Sequence, residues 1–186
     1  MKMTSYTVID PTNQERELMY QIESYLSEMK WPTVLSSSTR RNIGSTKRHA
    51  FCLGSVRKLD IFGELVHSQY NKKYPLLFSM LKKLMLLRDP NFKYTTVQLN
   101  SNLQTNPHYD KNNIGPSYCL ALGKHTGGGL ALYTNGNSDS APNVVNNKRK
   151  WVQYDGSKIL HGSAPVKSGN RYAIIYFRCK PRHRKK

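Results

Sequence analysis

Two histidines, one aspartate and one arginine in the second half of the chain have the types and the order of a metal site followed by an anion anchor. His108 and Asp110 are separated by one residue, His161 follows 53 residues after His108, and Arg171 comes ten residues later. In a strand, side chains at i and i+2 point to the same face, so His108 and Asp110 can bind one metal ion. Two imidazoles and one carboxylate, with coordination positions left open, are typical of non-haem Fe(II) oxygenases.

Catalytic zinc uses the same donor types, so a zinc hydrolase is the alternative at this point. Arg171 favours iron. It begins the strand-like run 171–177, where a buried guanidinium can bind the far carboxylate of a dicarboxylate through two parallel hydrogen bonds. The sequence has no His-Glu-x-x-His and no Cys-x-x-Cys pattern, the usual signatures of zinc. We therefore predict Fe(II) on His108, Asp110 and His161, 2-oxoglutarate on Arg171, and O2 as co-reactant.

The length of 186 residues suits one domain, and a hydrophobic content of 38% is enough for a core. We predict a single domain over 1–179, with a helical part over 1–92 and a strand-rich part over 93–179, followed by a basic tail over 180–186.

No apolar run near the start resembles a signal peptide, and no stretch approaches the length of a membrane span. Three widely spaced cysteines argue against a disulfide framework and indicate an intracellular, reducing compartment.

The net charge of +18 is spread along the chain, because the Lys and Arg residues of 180–186 account for only five of these charges. A field of this sign favours polyanions such as DNA or RNA, since neutralising phosphates releases counterions. A generally soluble, basic protein is the alternative, because charge alone carries no information about fold. The basic tail fits either a nuclear address or a phosphate-binding segment.

The N-terminal half has mostly helical patterns. Thr12 and Glu15 have the spacing of a capping box, which predicts the start of a helix. The predicted elements are a helix over 13–30, a mobile basic loop over 36–47, a strand over 49–56, a second helix over about 59–70, and a third helix between Pro75 and Pro90.

From residue 93 onward, short apolar runs alternate with turn residues, which predicts about eight strands. Helices first and strands later indicate an α+β chain. We predict a double-stranded β-helix, the jelly-roll architecture of cupins, with the N-terminal helices packed on the outside of a sheet.

The segments 98–102 (QLNSN) and 108–117 (HYDKNNIGPS) resemble the oxygenase domain shared by the TET methylcytosine hydroxylases and the thymine hydroxylases of base J synthesis. The resemblance extends over about 94–177, and more loosely over 47–57. The iron and 2-oxoglutarate motifs are common to the wider dioxygenase superfamily, whereas His-x-Asp-x-x-Asn ending in Gly-x-Ser is more particular. The other matching positions are 127–130, 155–157, His161 and 171–172.

Two positions depart from the family pattern. Many members of the superfamily have a serine two residues after the cosubstrate arginine, where this chain has Ala173. We therefore expect Asn100 or Tyr118 to supply the additional hydrogen bond to 2-oxoglutarate. Related sequences tend to read Gly-Gly-Glu where this chain has Gly129, so any role of that acid is absent here.

The resemblance implies oxidation of a methyl group, most simply that of 5-methylcytosine or thymine in nucleic acid. A base in a duplex must leave the stack to reach such a site. Tyr109 is expected to face away from the metal side and to be a packing residue rather than a platform on which a base stacks. One alternative is a prolyl or lysyl hydroxylase, for which the same iron site would serve. Another is a catalytically silent nucleic-acid-binding module with the same fold, against which the intact ligand set and Arg171 argue.

Overall fold

The computed structural model describes residues 5–35, 47–58 and 60–183. Within these ranges the chain forms three helices and thirteen strands. The helices are α1 (Asn13–Glu28), α2 (Tyr70–Lys73) and α3 (Pro75–Arg88). The strands are β1 (Thr7–Ile9), β2 (Thr33–Leu35), β3 (Lys47–Val56), β4 (Val66–His67), β5 (Thr96–Ser101), β6 (Ser117–Leu122), β7 (His125–Gly127), β8 (Leu130–Tyr133), β9 (Asn143–Val145), β10 (Trp151–Tyr154), β11 (Leu160–Ser163), β12 (Val166–Gly169) and β13 (Tyr172–Phe177).

The strands form one large and one small antiparallel sheet. The large sheet has the order β1-β10-β6-β13-β5-β3-β2, with β4 paired to β3 beside this path. The small sheet has the order β11-β8-β9, and β12 pairs with β7 separately. Apolar side chains of β6 and β10 share a buried cluster with those of β8 and β9, so the two sheets face each other. This arrangement confirms the predicted jelly-roll core.

Side chains of the large sheet alternate between a face toward the helices and a face toward a cavity. On β5, Val97 and Leu99 belong to the cluster that also contains the apolar residues of α1 and α3. Gln98 and Asn100, one residue out of phase, line the cavity. Because successive residues of a strand point to opposite faces, the pairing register decides which residues reach the cavity.

Both long helices are tied to the large sheet by hydrogen bonds as well as by apolar contacts. The Thr12–Glu15 capping box is present at the start of α1. The fully buried carboxylate of Glu15 also accepts a hydrogen bond from Nε1 of Trp151 in β10, at 3.0 Å. The hydroxyl of Tyr176 in β13 donates to the backbone oxygen of Leu81 in α3, at 2.9 Å. Strand β10 is thereby anchored to α1, and β13 to α3.

The predicted second helix over 59–70 is wrong. Residues 66–67 form β4, and helix begins only at Tyr70. Gly63 has φ of 85°, a left-handed conformation that no right-handed helix accommodates. The hydroxyl of Ser68 also donates to the backbone oxygen of Cys52 at 2.6 Å, which holds this segment against β3.

Other boundaries also differ from the predictions. The predicted strand over 49–56 begins two residues earlier, at Lys47, while most of the predicted loop over 36–47 lies outside the described residues. Strands also occur within 1–92, where β3 pairs with β5 along six residues of each strand. In the described ranges, none of the helices has the length and apolar character that crossing a membrane requires.

Candidate metal and cosubstrate site

His108, Asp110 and His161 converge as the sequence predicts. One nitrogen or oxygen atom from each side chain lies within 4.8 Å of the other two. Nε2 of His108 is 3.6 Å from Oδ1 of Asp110, and Nε2 of His161 is 3.5 Å from Oδ2 of the same carboxylate. The three side chains therefore surround one point, which is the arrangement that a metal ion with these ligands requires.

Main-chain hydrogen bonds position the three residues. The amides and carbonyls of His108 and His161 bond to each other reciprocally, at 2.9 and 3.1 Å, as an isolated bridge. The Asp110 amide donates to the carbonyl of Gly156 at 2.8 Å. The expected strand around His108 and Asp110 is absent, since only His108 is bridged. The i and i+2 side chains nevertheless converge, because both ends of the tripeptide are bonded to the β10–β11 region.

Both imidazoles are oriented through their second nitrogen. Nδ1 of His108 lies 2.7 Å from the carbonyl oxygen of Asn106, and Nδ1 of His161 lies 2.9 Å from that of Ile159. A backbone carbonyl can only accept, so each Nδ1 carries the proton. Nε2 is then the nitrogen available to coordinate in both rings. This is the usual support of a metal-binding histidine.

Neighbouring residues orient the carboxylate of Asp110 and keep the space beside it open. The amide side chain of Asn113 donates to Oδ2 of Asp110 at 3.1 Å, and the Asn113 backbone amide donates to the Asp110 carbonyl at 2.9 Å. Gly156 leaves room here, because a Cβ at that position would lie 3.0 Å from both Oδ2 of Asp110 and Cε1 of His161. The His-x-Asp-x-x-Asn pattern thus contains both a candidate ligand and the residue that orients it.

Arg171 lies immediately before β13 and is only 3% exposed. Its buried Nε makes no hydrogen bond to any described residue. Burial lowers the pKa of Arg171, whereas the nearby Cys119 and Tyr154 act to raise it. A buried guanidinium with an unsatisfied donor fits an anionic ligand that brings its own charge and acceptors.

Gly128 makes the position of Arg171 possible. Its φ is 71°, and a Cβ there would lie 2.5 Å from Cδ of Arg171 and 3.1 Å from Nε. Only glycine combines this left-handed backbone with such a close approach. The packing of the Arg171 side chain therefore explains part of the glycine run 127–129, which is among the positions that resemble the family.

The ligand set and Arg171 open onto the same cavity, of about 900 Å³. Tyr154 also lines this cavity. It is 4% exposed, its ring meets that of His161 edge-on at 5.0 Å, and electrostatic interactions connect it with both Asp110 and Arg171. Burial raises the pKa of Tyr154 well above its ordinary value, so the phenol keeps its proton and can donate a hydrogen bond.

The two residues expected to assist Arg171 are in different places. Asn100 lines the cavity, where its side-chain oxygen accepts a hydrogen bond from Gln98 at 2.9 Å. Tyr118 does not line the cavity. Its side chain belongs to the cluster on the helix side of the sheet, and its hydroxyl donates to Asp89 at 3.1 Å. Because of the register of β6, Tyr118 points away from the cavity, which corrects the expectation that it could bond to 2-oxoglutarate. Tyr154, which the sequence analysis did not single out, faces the cavity instead.

The donor set fits a first-row divalent metal, because two neutral imidazoles and a carboxylate suit Fe(II) and leave coordination positions for other ligands. The orphaned Nε of Arg171 in the same cavity fits a dicarboxylate beside that metal. The residues present therefore match the predicted combination of Fe(II) and 2-oxoglutarate.

Neither a protein-family model nor a curated protein matches the sequence. Solved structures do match. NgTET1 in complex with 5mC DNA is 17% identical, with a TM-score of 0.55 over 94% of this chain and 72% of that one. A 2OG-Fe(II) oxygenase family oxidoreductase from Burkholderia pseudomallei is 14% identical, with a TM-score of 0.62 over 97% and 88%. A Trichoplax adhaerens prolyl hydroxylase, in complex with a peptide fragment of the hypoxia inducible factor oxygen degradation domain, is 13% identical, with a TM-score of 0.55 over 95% and 84%.

These three structures share the architecture described above, and one of them is a TET protein, which confirms at the level of fold the resemblance indicated by the sequence. The chain has the fold of the 2-oxoglutarate- and Fe(II)-dependent oxygenases.

Proposed function

We propose that the chain is a 2-oxoglutarate- and Fe(II)-dependent oxygenase. The observation that carries this proposal is the opening of the His108, Asp110 and His161 cluster and of the buried Arg171 onto one cavity. A silent module that had kept only the fold would not need to preserve the ligand set and an unsatisfied buried guanidinium together.

Each of these residues has a distinct role in the proposal. Nε2 of His108, Nε2 of His161 and the carboxylate of Asp110 would hold Fe(II), while the guanidinium of Arg171 would bind the far carboxylate of 2-oxoglutarate. When bound, Fe(II) with 2-oxoglutarate and O2 supplies the oxidation of a substrate C–H to C–OH, with succinate and CO2 as the other products. The chain itself would hold the cosubstrate and the substrate in fixed positions and exclude bulk water from the buried end of the cavity.

For the substrate, we propose a 5-methylpyrimidine, 5-methylcytosine or thymine, in nucleic acid. Among the described residues that line the cavity, three Lys or Arg side chains remain besides Arg171, and Asp110 is the only carboxylate, which supports this class. NgTET1, which has the same fold, was solved with 5mC DNA. A cavity of about 900 Å³ is within the range of small-molecule sites and leaves room for a flipped base beside a small cosubstrate.

The second candidate is a protein hydroxylase acting on prolyl or lysyl side chains. The observation in its favour is the shared fold with a prolyl hydroxylase that was solved with a peptide. The same metal ligands would serve that reaction. The charge of the cavity lining favours nucleic acid over an average peptide, although an acidic peptide would also be attracted.

The experiment that separates these candidates offers the protein both substrate classes with Fe(II), 2-oxoglutarate and O2. The substrates are oligonucleotides with 5-methylcytosine or thymine, and a peptide library, with products identified by mass spectrometry. We expect a gain of one oxygen atom on the methylated nucleoside. Oxygen gain on peptides, with every oligonucleotide unchanged, would contradict the nucleic-acid substrate and leave the oxygenase proposal in place.

A further inference from the structure

The C-terminal segment 178–183, here called the strap, folds back across the cavity region. The Lys180 amide donates to the carbonyl of Asn112 at 2.7 Å, and the carbonyl of Arg182 accepts from the Gly63 amide at 2.7 Å. The strap therefore joins the loop that carries Asp110 to the segment after β3. Residues 180–183, the described part of the predicted basic tail over 180–186, therefore lie against the folded domain.

Three cations lie on the part of the cavity lining that these segments form, namely Arg57, Lys111 and Arg182. Within the described ranges, no salt bridge includes any of the three. Among the described residues of the cavity lining, Asp110 is the single carboxylate, and the proposed metal would occupy it. The three positive charges are consequently left without an anionic counterpart in the lining, and an anion of the substrate can take that place.

Both guanidinium groups are held in position. Arg57 donates a hydrogen bond from its guanidinium to the side-chain oxygen of Asn112. The Arg182 guanidinium lies over the ring of Phe62, 4.7 Å from its centroid. A guanidinium fixed in this way loses less conformational entropy on binding a phosphate than a freely moving side chain does.

Exposed aromatic rings accompany these cations. Tyr109, predicted to be a packing residue, lines the cavity with 38% of its surface exposed, and Phe62 under Arg182 is 39% exposed. Aromatic rings beside cations are typical of nucleic-acid-binding surfaces, where bases stack and phosphates pair with the charges. This combination favours a nucleic acid over an acidic peptide, which needs the charges but not the exposed rings.

We propose that Arg57, Lys111 and Arg182 form a phosphate-binding cluster at the cavity, which holds the phosphodiester backbone next to the nucleotide that enters the site. The proposal rests on the nucleic-acid substrate proposed above. It also gives the strap a role, because the hydrogen bonds of the strap to Asn112 and Gly63 hold the segment that carries Arg182.

Salt-dependent binding of a 5-methylcytosine oligonucleotide to the full chain, by fluorescence anisotropy without O2, tests the cluster. Arg57→Gln/Arg182→Gln is compared with Lys82→Gln/Lys83→Gln, which removes the same charge from α3, on the opposite face of the large sheet. The control variant is well matched to the cluster variant, because Lys82, like Arg182, lies over an aromatic ring, with its Nζ 4.9 Å from the centroid of Phe78. A third variant, Arg57→Lys/Arg182→Lys, keeps the charge.

We expect Arg57→Gln/Arg182→Gln to reduce the slope of log affinity against log salt by about 2, since each lost phosphate contact removes about 0.9. The α3 control should keep the wild-type slope, and the lysine variant should restore most of it. Equal losses in the two glutamine variants would show diffuse attraction and overturn the proposal. Tighter binding of a poly-glutamate peptide that depends on Arg57 and Arg182 would overturn it in favour of an acidic peptide.

The outcome also separates this inference from the proposed function. Succinate formation by a wild-type protein whose oligonucleotide binding does not depend on Arg57 and Arg182 overturns the phosphate cluster alone. Cluster-dependent binding supports the cluster even where no oligonucleotide is oxidised, and in that case only the proposed methyl substrate fails.

Discussion

His108 and His161 are joined by two reciprocal backbone hydrogen bonds, so the main chain sets the distance between the two imidazoles. Their ring centroids are 4.5 Å apart. Because these bonds do not involve either side chain, an imidazole can be removed without breaking the bridge. Substitutions in the ligand set should therefore act on metal binding more than on folding.

Asn113→Ala should weaken metal binding, because the Asn113 side chain donates to the carboxylate oxygen of Asp110 that faces His161. Residues in this supporting role typically change metal affinity by about 10–100-fold. The measurement is a titration of Fe(II) or Mn(II) against a competing chelator. Asn91→Ala, at an exposed position outside the cavity, is the control and should bind metal like the wild type. Equal affinity in all three proteins would show that Asn113 does not orient Asp110.

Gly128→Ala should weaken 2-oxoglutarate binding, because the new Cβ would lie 2.5 Å from Cδ of Arg171 and displace the guanidinium. Metal affinity should stay near the wild-type value, since the atoms nearest to the new Cβ belong to Arg171 and Val166 and not to the ligand set. The measurement compares the dissociation constants of 2-oxoglutarate and of the metal in the two proteins. Gly63→Ala, also left-handed but with open space at Cβ, gives the stability cost of the backbone conformation alone in thermal unfolding. Unchanged 2-oxoglutarate affinity would contradict this role of Gly128.

Tyr154→Phe should also weaken 2-oxoglutarate binding, because the phenol lies near Arg171 and remains protonated. Loss of one hydrogen bond to a charged group costs about 1.5–3 kcal/mol, or roughly 10–100-fold in affinity. Isothermal titration of 2-oxoglutarate into the metal-loaded protein measures the effect. Asn100→Ala is the comparison, since Asn100 also lines the cavity. A loss in Asn100→Ala with none in Tyr154→Phe would assign the supporting hydrogen bond to Asn100 instead.

Tyr118 and Tyr154 show which part of the candidate site could not be predicted from the sequence. Tyr118 and Tyr154 both lie in apolar strands and look equivalent in the sequence. In the structure, Tyr118 pairs with Gln153 and points toward the helices, while Tyr154 pairs with Ser117 and points into the cavity. A shift of one residue exchanges the two faces, and long-range pairing fixes this register.

The ligand set and helix α1 were both predictable from the sequence, for different reasons. His108, Asp110, His161 and Arg171 are recognisable from residue type and spacing, because the chemistry of a metal and a dicarboxylate restricts which residues can serve. Helix α1 is recognisable from a local capping box. The helix predicted over 59–70 is wrong because Gly63 interrupts the apolar periodicity. Its left-handed backbone and the hydrogen bond from its amide to the Arg182 carbonyl depend on a contact far along the chain.

Glu15→Ala should destabilise the fold, because it leaves the indole N–H of the fully buried Trp151 without its acceptor. It also removes the acceptor of the Thr12 backbone amide and the ion-pair partner of Arg88. We expect a loss of about 3 kcal/mol in the free energy of unfolding. Urea denaturation measures this change. The control is Glu17→Ala, at an exposed position of the same helix, whose free energy of unfolding should stay within about 0.5 kcal/mol of the wild type. A loss for Glu15→Ala no larger than that of Glu17→Ala would contradict the anchoring of β10 through Glu15.

The most direct test of the oxygenase proposal is conversion of 2-oxoglutarate to succinate by metal-free protein supplied with one metal at a time. We predict that Fe(II) restores succinate formation and that Zn(II) does not, because the three ligands and Arg171 together suit a redox metal with a dicarboxylate. His161→Ala should remain folded, since its backbone bridge to His108 persists, and should form no succinate with Fe(II). Succinate formation that survives in folded His161→Ala, or that is absent from the wild type with Fe(II), would contradict the account.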